Sequence, residues 1–213
     1  MTRLITKVAL LSACGMLVAA AAMAGVPSAS TSTAPGFLRL VGSKLSVPDS
    51  ITGKITITVR DIALNPVSGS NVVVDFGACT PVDIKIASNQ LNANYTTNCT
   101  NHTVGAYTNA AGQVAFTLLG SSFTTGVHTG LSCARIWADG VLLSSPTVAT
   151  PDMDGAGGVS AGDLSGWLGD LGTGLYRARS DYDGNAAVSA GDLSVWLGVL
   201  GRGNSNTSSA ACL

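Results

Sequence analysis

Residues 152–172 read DMDGAGGVSAGDLSGWLGDLG, and residues 181–201 read DYDGNAAVSAGDLSVWLGVLG. The windows stand 29 residues apart and agree at 15 of 21 positions, so the unit is duplicated. Each copy sets spaced acidic residues ahead of an apolar pattern of helical period. The acidic spacing is that of a calcium loop. Ca²⁺ takes roughly six to eight oxygens, and a twelve-residue loop offers them from its first, third, fifth, seventh, ninth and twelfth places. In the second copy those places fall on Asp181, Asp183, Asn185, the Ala187 carbonyl, Ser189 and Asp192. In the first they fall on Asp152, Asp154, Ala156, the Gly158 carbonyl, Ser160 and Asp163. The copies depart from the pattern differently. Ala156 offers no ligand, but Gly157 keeps the sixth-place glycine of the sharp turn. Asn185 can ligate, but Ala186 stands where that glycine belongs, at about 1–2 kcal/mol of strain if its φ is positive.

Working outward, Leu164, Trp167, Leu168 and Leu171 fall at i, i+3, i+4 and i+7, and Leu193, Trp196, Leu197 and Leu200 repeat them. This predicts one apolar stripe on each of two helices. Both helices are short and contain glycine, so neither is stable alone, and packing one stripe on the other is the expected way to bury them. Between 152 and 201, seven Asp against Arg177 and Arg179 leave a net charge of −5. Clustered carboxylates repel without a cation, so Ca²⁺ is the expected cofactor.

The tandem pair resembles the type I dockerin repeat. The resemblance is carried by the D-x-D of each copy, Asn185, Val159 and Val188, and the Asp-Leu pairs 163–164 and 192–193. It covers about the last quarter of the chain. It implies a calcium-dependent docking module whose partner is a cohesin-like domain in extracellular assemblies, often assemblies that degrade polysaccharides. In that family the residues just before the closing Asp help to recognise the partner, and here those are Ala161-Gly162 and Ala190-Gly191. The chain also departs from the family. Both helices lack its basic residues, and Trp167 and Trp196 are additions. An inward arrangement, with the tryptophans packed on the preceding domain as a calcium-set clamp, stands as the alternative.

Residues 1–24 read as an export signal. Arg3 and Lys7 precede an apolar run, and Ala22-Met23-Ala24 is a small-x-small cleavage site before Gly25. The expected location is secreted or cell-surface. Leu11-Ser12-Ala13-Cys14 resembles a lipobox, which offers lipidation at Cys14 as an alternative to cleavage at Ala24. No later run is long and apolar enough to span a bilayer. Charged residues make up 11% of the chain, the formal net charge is −1, and none of the twelve acids is Glu. A near-neutral chain without a basic patch argues against nucleic acid as a partner.

Residues 25–35 hold a Ser/Thr/Pro-rich linker, 36–147 a β-rich domain, 148–202 the repeat pair, and 203–213 a polar tail expected to be flexible. Strand-like runs occur at 37–41, 54–61, 71–76, 82–87, 103–108, 113–118, 131–137 and 141–145. In 54–61, Ile55, Ile57 and Val59 alternate with polar residues, and Asp139-Gly140 is a strong hairpin signal. The fold class expected is mainly β: a β-sandwich followed by a small α-helical calcium module. At 59–76 and 108–120 the chain resembles bacterial Ig-like repeats of surface proteins, which implies an extracellular module and little about its activity.

Past the signal, Cys79, Cys99, Cys133 and Cys212 allow three pairings. The pair Cys79–Cys99 is favoured for stapling the loop-rich stretch between them, a contribution of about 3 kcal/mol, with Cys133–Cys212 tying down the tail. An enzyme is not expected. Glycoside hydrolysis needs two carboxylates across a cleft, and outside the repeats only five Asp and no Glu remain. The leading expectation is an exported, non-catalytic modular protein that docks through its calcium module. A carbohydrate-binding or adhesion β-sandwich held by a calcium clamp is the alternative.

Overall fold

The computed structural model describes residues 25–79, 83–122, 132–203 and 212. The expected export signal and Cys14 lie outside them. The chain is mainly β, with two sizeable helices at its C-terminal end.

The largest sheet is five-stranded and antiparallel. Its strands are β5 (Asn71–Asp75), β7 (Thr96–Asn98), β8 (Thr103–Tyr107), β11 (Arg135–Ala138) and β12 (Val141–Ser144), in the order β12-β11-β5-β8-β7. Alternation sets its faces. Val72 and Val74 of β5 are fully buried and lie opposite Ala106 and Val104 of β8 and Ala138 and Ile136 of β11. Asp139 and Gly140 turn β11 into β12 with φ of 46° and 84°, as a tight hairpin needs. The Asp139 carboxylate also accepts the Asn71 N–H.

The remaining strands form pairs. β4 (Lys54–Thr58) is antiparallel to β9 (Gln113–Thr117), β6 (Ile84–Ile86) to β10 (Gly120–Ser122), and β2 (Ser43–Lys44) to β3 (Val47–Pro48). β1 (Phe37–Arg39) runs parallel to β13 (Thr147–Ala149). Ile57, Phe116, Leu38, Ile86 and Val148 from these pairs join Val72, Val74, Val104 and Ile136 of the large sheet in one core. All eight strand-like runs of the sequence contain a strand. The short β2, β3, β7, β10 and β13 lack the length over which alternation is legible.

Two segments expected to connect domains are bonded into the body. Ser28 N–H donates to Arg60, and Thr33 pairs with Thr58 at the end of β4. Thr147–Ala149, at the boundary expected between the β-rich domain and the repeat pair, is β13 itself. A four-residue helix, α1 (Ser50–Gly53), is capped by Asp49, whose carboxylate accepts from Ile51 and Thr52 N–H.

The disulfides are Cys79–Cys133 and Cys99–Cys212, which corrects the expected Cys79–Cys99 pair. Strand pairing is the reason. β5 leads to Cys79 and β11 follows Cys133, and β5 and β11 are antiparallel neighbours with Asp75 opposite Arg135. This brings the two Cα atoms to 4.9 Å. Cys99, at the end of β7, meets Cys212, whose N–H donates to Ile86 of β6. The bonds point to an oxidising environment. No described helix is long and apolar enough to cross a membrane.

Candidate metal centres

Each repeat folds as a loop followed by a helix: α2 (Ala161–Gly172) in the first copy and α3 (Ala190–Arg202) in the second. The helix starts are locally encoded. Ser160 and Ser189 are N-caps, and Asp163 and Asp192 at the third helical position reach back to the Ser160 and Ser189 N–H at 2.6 and 2.7 Å, closing capping boxes.

That same carboxylate closes the loop. Asp163 also accepts from Met153 N–H (2.6 Å) and Asp154 N–H (3.1 Å), and Asp192 accepts from Asp183 N–H (3.0 Å). Asp152 takes Gly155 N–H at 2.9 Å, and Asp181 takes Gly184 N–H at 2.8 Å. The outcome is two acidic triads that can hold a metal ion, Asp152–Asp154–Asp163 and Asp181–Asp183–Asp192, each with one oxygen per residue within 4.8 Å of the others. Asp152, Asp163, Asp181 and Asp192 are buried, while Asp154 and Asp183 reach the surface. At the fifth place, Asn185 accepts from Ala187 N–H and donates to Asp183, at 2.9 and 3.0 Å. Ala156 contributes only its N–H, to Asp154. Gly158 and Ala187, the seventh-place carbonyl donors, lie half-buried and exposed. At the sixth place Gly157 has φ 90° and Ala186 φ 65°, so the second copy does carry an alanine in left-handed backbone.

Electrostatics follow from burial. Burial pushes the Asp163 carboxyl up, Asp154 adds to this, and the N–H groups of Asp154, Ser160 and Met153 pull against it. Asp181 is likewise pushed up by burial, against the Tyr176 hydroxyl and the Ala186 and Gly184 N–H groups. Tyr176 donates to Asp181 at 2.9 Å, and burial together with that carboxylate pushes its phenol up to about 12. Charge buried at this cost suits a site that a cation completes. The donors are all hard oxygens, which fits Ca²⁺ better than a thiophilic or imidazole-seeking metal.

Gly162 and Gly191 have a role that the family resemblance does not suggest. A Cβ on Gly162 would stand 2.5 Å from the Asp154 carboxylate, and one on Gly191 2.5 Å from that of Asp183. They keep the third-place carboxylates in position. Ala161 and Ala190 are exposed on the first helical turn.

The two stripes meet only along one edge: Trp167, Trp196, Leu164 and Leu193 share a cluster, while the remaining leucines of each stripe stay exposed. The closing Asp must face the loop, and that sets the rotation of each helix. One and two turns further along the same face lie Trp167 and Asp170 in α2, and Trp196 and Val199 in α3, all buried. Both tryptophans pack in one cluster with Met153, Tyr182, Ala149 and Phe37, the last two from β13 and β1. Leu168 and Leu197 are each 52% exposed, and Leu171 and Leu200 each 40%.

A polar cluster beside the first site escaped the sequence reading. Arg179 donates to both oxygens of Asp170, at 2.7 and 2.9 Å, and approaches Asp83 at 3.9 Å. Ser180 donates to Asp170 at 2.6 Å, and Trp167 donates to the Ser180 carbonyl at 3.2 Å. The available signal was Asp170 itself, an acid on the helix face where the second copy has Val199. At the far end, Arg202 pairs with Asp49 at 3.0 Å, and Lys44 donates to the Arg202 carbonyl at 3.0 Å.

Compared with known proteins, the chain matches no protein-family model, no curated protein and no solved structure.

Proposed function

We propose that this is an exported, non-catalytic modular protein in which two Ca²⁺ ions, one per repeat, fasten a dockerin-like pair onto an Ig-like β-sandwich. The observation that carries the reading is the carboxylate triad of each loop, two of its three members buried, whose closing Asp is also the residue that orients its helix. Asp152, Asp154, the Gly158 carbonyl and Asp163 would hold one ion. Asp181, Asp183, Asn185, the Ala187 carbonyl and Asp192 would hold the other. Calcium neutralises the buried charge, fixes the rotation of α2 and α3, and so keeps Trp167 and Trp196 against β1 and β13. This is the inward clamp. The two disulfides and the signal-like N-terminus support a secreted or cell-surface location.

A second role is favoured by one further observation. The same two leucines stand exposed on each helix, Leu168 with Leu171 and Leu197 with Leu200. They form an apolar face repeated by the duplication, suited to docking a cohesin-like domain, with Ala161 and Ala190 beside it on the first turns. Linkage to polysaccharide degradation rests on the dockerin resemblance.

The test is calorimetric titration of the chelator-treated full chain with CaCl₂, followed by thermal unfolding with and without the ion. Two bound ions and a raised melting temperature are expected. No heat and an unchanged melting temperature at millimolar Ca²⁺ would overturn the calcium reading. Calcium binding without change in tryptophan emission would remove the clamp while leaving docking intact.

A further inference from the structure

A second concave site lies on the β-rich body, lined by no residue of the repeats. β8 ends at Tyr107 and β9 begins at Gln113. Between them Asn109 closes the turn, its N–H donating to the Gln113 carbonyl at 2.8 Å and its side chain accepting the Gln113 N–H at 3.0 Å. The segment before β7 folds over this corner. Tyr95 packs its ring on core Phe116, with centroids 5.2 Å apart. Its hydroxyl donates to the Ala115 carbonyl at 3.0 Å and accepts the Thr117 N–H at 3.1 Å. The result is a cleft of about 380 Å³. Its lining includes Tyr95 and Tyr107, the amide residues Asn92, Asn94 and Gln113, and the buried Val114. Tyr107 is 68% exposed, a large ring left open to solvent.

The chemistry of this lining excludes most ligands. No described charged side chain lines the cleft, so a phosphate, a nucleic acid or a metal ion finds no counter-charge. The edge of β9 is also poorly suited to pairing with an added peptide strand. Along β9 the outward groups of Gln113, the Ala115 carbonyl and the Thr117 N–H are already bonded to Asn109 and Tyr95. What remains is an aromatic face beside neutral amides, of which Asn92 is partly engaged by the Asn94 N–H while Asn94 and Gln113 can both donate and accept. That set matches a ligand with hydroxyls round its edge and an apolar C–H face. The cleft volume lies within the range of small-ligand sites, roughly 300–1,000 Å³. Tyr95 is held in place before any ligand arrives, and Tyr107 has few rotatable bonds to immobilise.

We infer that this cleft binds neutral sugar units of a polysaccharide, with Tyr107 stacked on a ring face and Asn92, Asn94 and Gln113 bonding its hydroxyls. The inference rests on the cleft alone and stands or falls separately from the calcium reading.

Affinity electrophoresis of the full chain tests it, through native gels containing soluble β-glucan, xylan, mannan, starch or glycol-chitin. Retardation is expected in at least one gel. Tyr107→Ala should weaken it by about tenfold or more, and Gln113→Ala by less, both with unchanged melting temperature. Because Tyr107 and Gln113 are exposed, both variants should fold. Free migration in every gel, or a Tyr107→Ala variant retarded like the parent, overturns the inference. So does retardation confined to a gel of anionic polysaccharide such as pectate.

Discussion

The two copies of the repeat share their helix signature but are fastened by different means. In the first, Asp170 is buried with Arg179 and Ser180, and Trp167 bonds the Ser180 carbonyl. In the second, Val199 fills the place of Asp170, and Trp196 Nε1 has no partner among the described residues. The loops show the reverse. The second has Asn185 as an extra oxygen donor and a Tyr176 hydrogen bond on Asp181, where the first has Ala156. The first copy therefore carries a buried ion pair beside its helix, and the second a richer loop together with the Arg202–Asp49 pair at the end of its helix. A duplicated sequence can keep its fold-determining positions and still divide its anchoring between different polar contacts.

The largest expected effect comes from breaking that ion pair. Asp170→Ala leaves Arg179 nearly buried without its bidentate partner, with Asp83 at 3.9 Å, and removing one partner of a buried pair costs about 3–5 kcal/mol. Urea unfolding in calcium would measure it. The double variant Asp170→Val with Arg179→Met makes the first copy resemble the second and should recover most of the loss. If Asp170→Ala proves neutral, the contrast between the copies is wrong.

Next in size is the metal. At 100 times the dissociation constant, each ion should add about 2.7 kcal/mol of stability. The second loop should bind more tightly, so Asp181→Ala should abolish the stronger calorimetric phase and Asp152→Ala the weaker. Equal or reversed losses would erase the ranking, and Ala156→Asn should narrow the gap.

A smaller effect is expected at the contact between α3 and the body. Asp49 is buried, which alone would raise its pKa, but the Thr52 hydroxyl and Arg202 outweigh burial and hold it below the usual carboxylate range. A carboxylate depressed in the folded state adds stability that is fully present above the unfolded value, about pH 4, and is lost as pH falls through the folded one. Asp49→Ala also removes the cap of α1, so about 1–2 kcal/mol should go at neutral pH. The variant's acid limb in a pH series of melting temperatures should be shallower than the parent's.

The smallest is Ala186→Gly. The alanine sits at φ 65°, and relief of that strain less the added freedom of the unfolded glycine leaves a gain of roughly 0.5 kcal/mol. Gly157→Ala in the first copy should move the other way, and differential scanning calorimetry of both would show it.

The acidic triads were legible in the sequence because each loop is contiguous, and its spacing sets its geometry. The longer strands were legible for the same local reason, as Ile55 and Ile57 opposite Phe116 and Val114 show. The rotation of the helices was not. A stripe of Leu and Trp names a broad apolar face, and only the demand that Asp163 and Asp192 point into their loops chooses Trp167 and Trp196 over Leu168 and Leu197 as the buried edge. Disulfide pairing was hidden because Cys79 and Cys133 meet through β5–β11 adjacency, a contact between segments 54 residues apart. The Tyr107 cleft was hidden as well, since its amides come from two separate stretches, Asn92 with Asn94 and the distant Gln113.

The order of the four cysteines along the chain has a further consequence. Cys79 joins Cys133 and Cys99 joins Cys212, so the two covalent loops overlap rather than nest. Any single cut between residues 79 and 212 leaves its two fragments joined by at least one disulfide. A protease that clips the segment joining β13 to the first loop therefore cannot shed the repeat pair. The nicked protein should run as one species until a reductant is added. The molecule is built to be cut without coming apart.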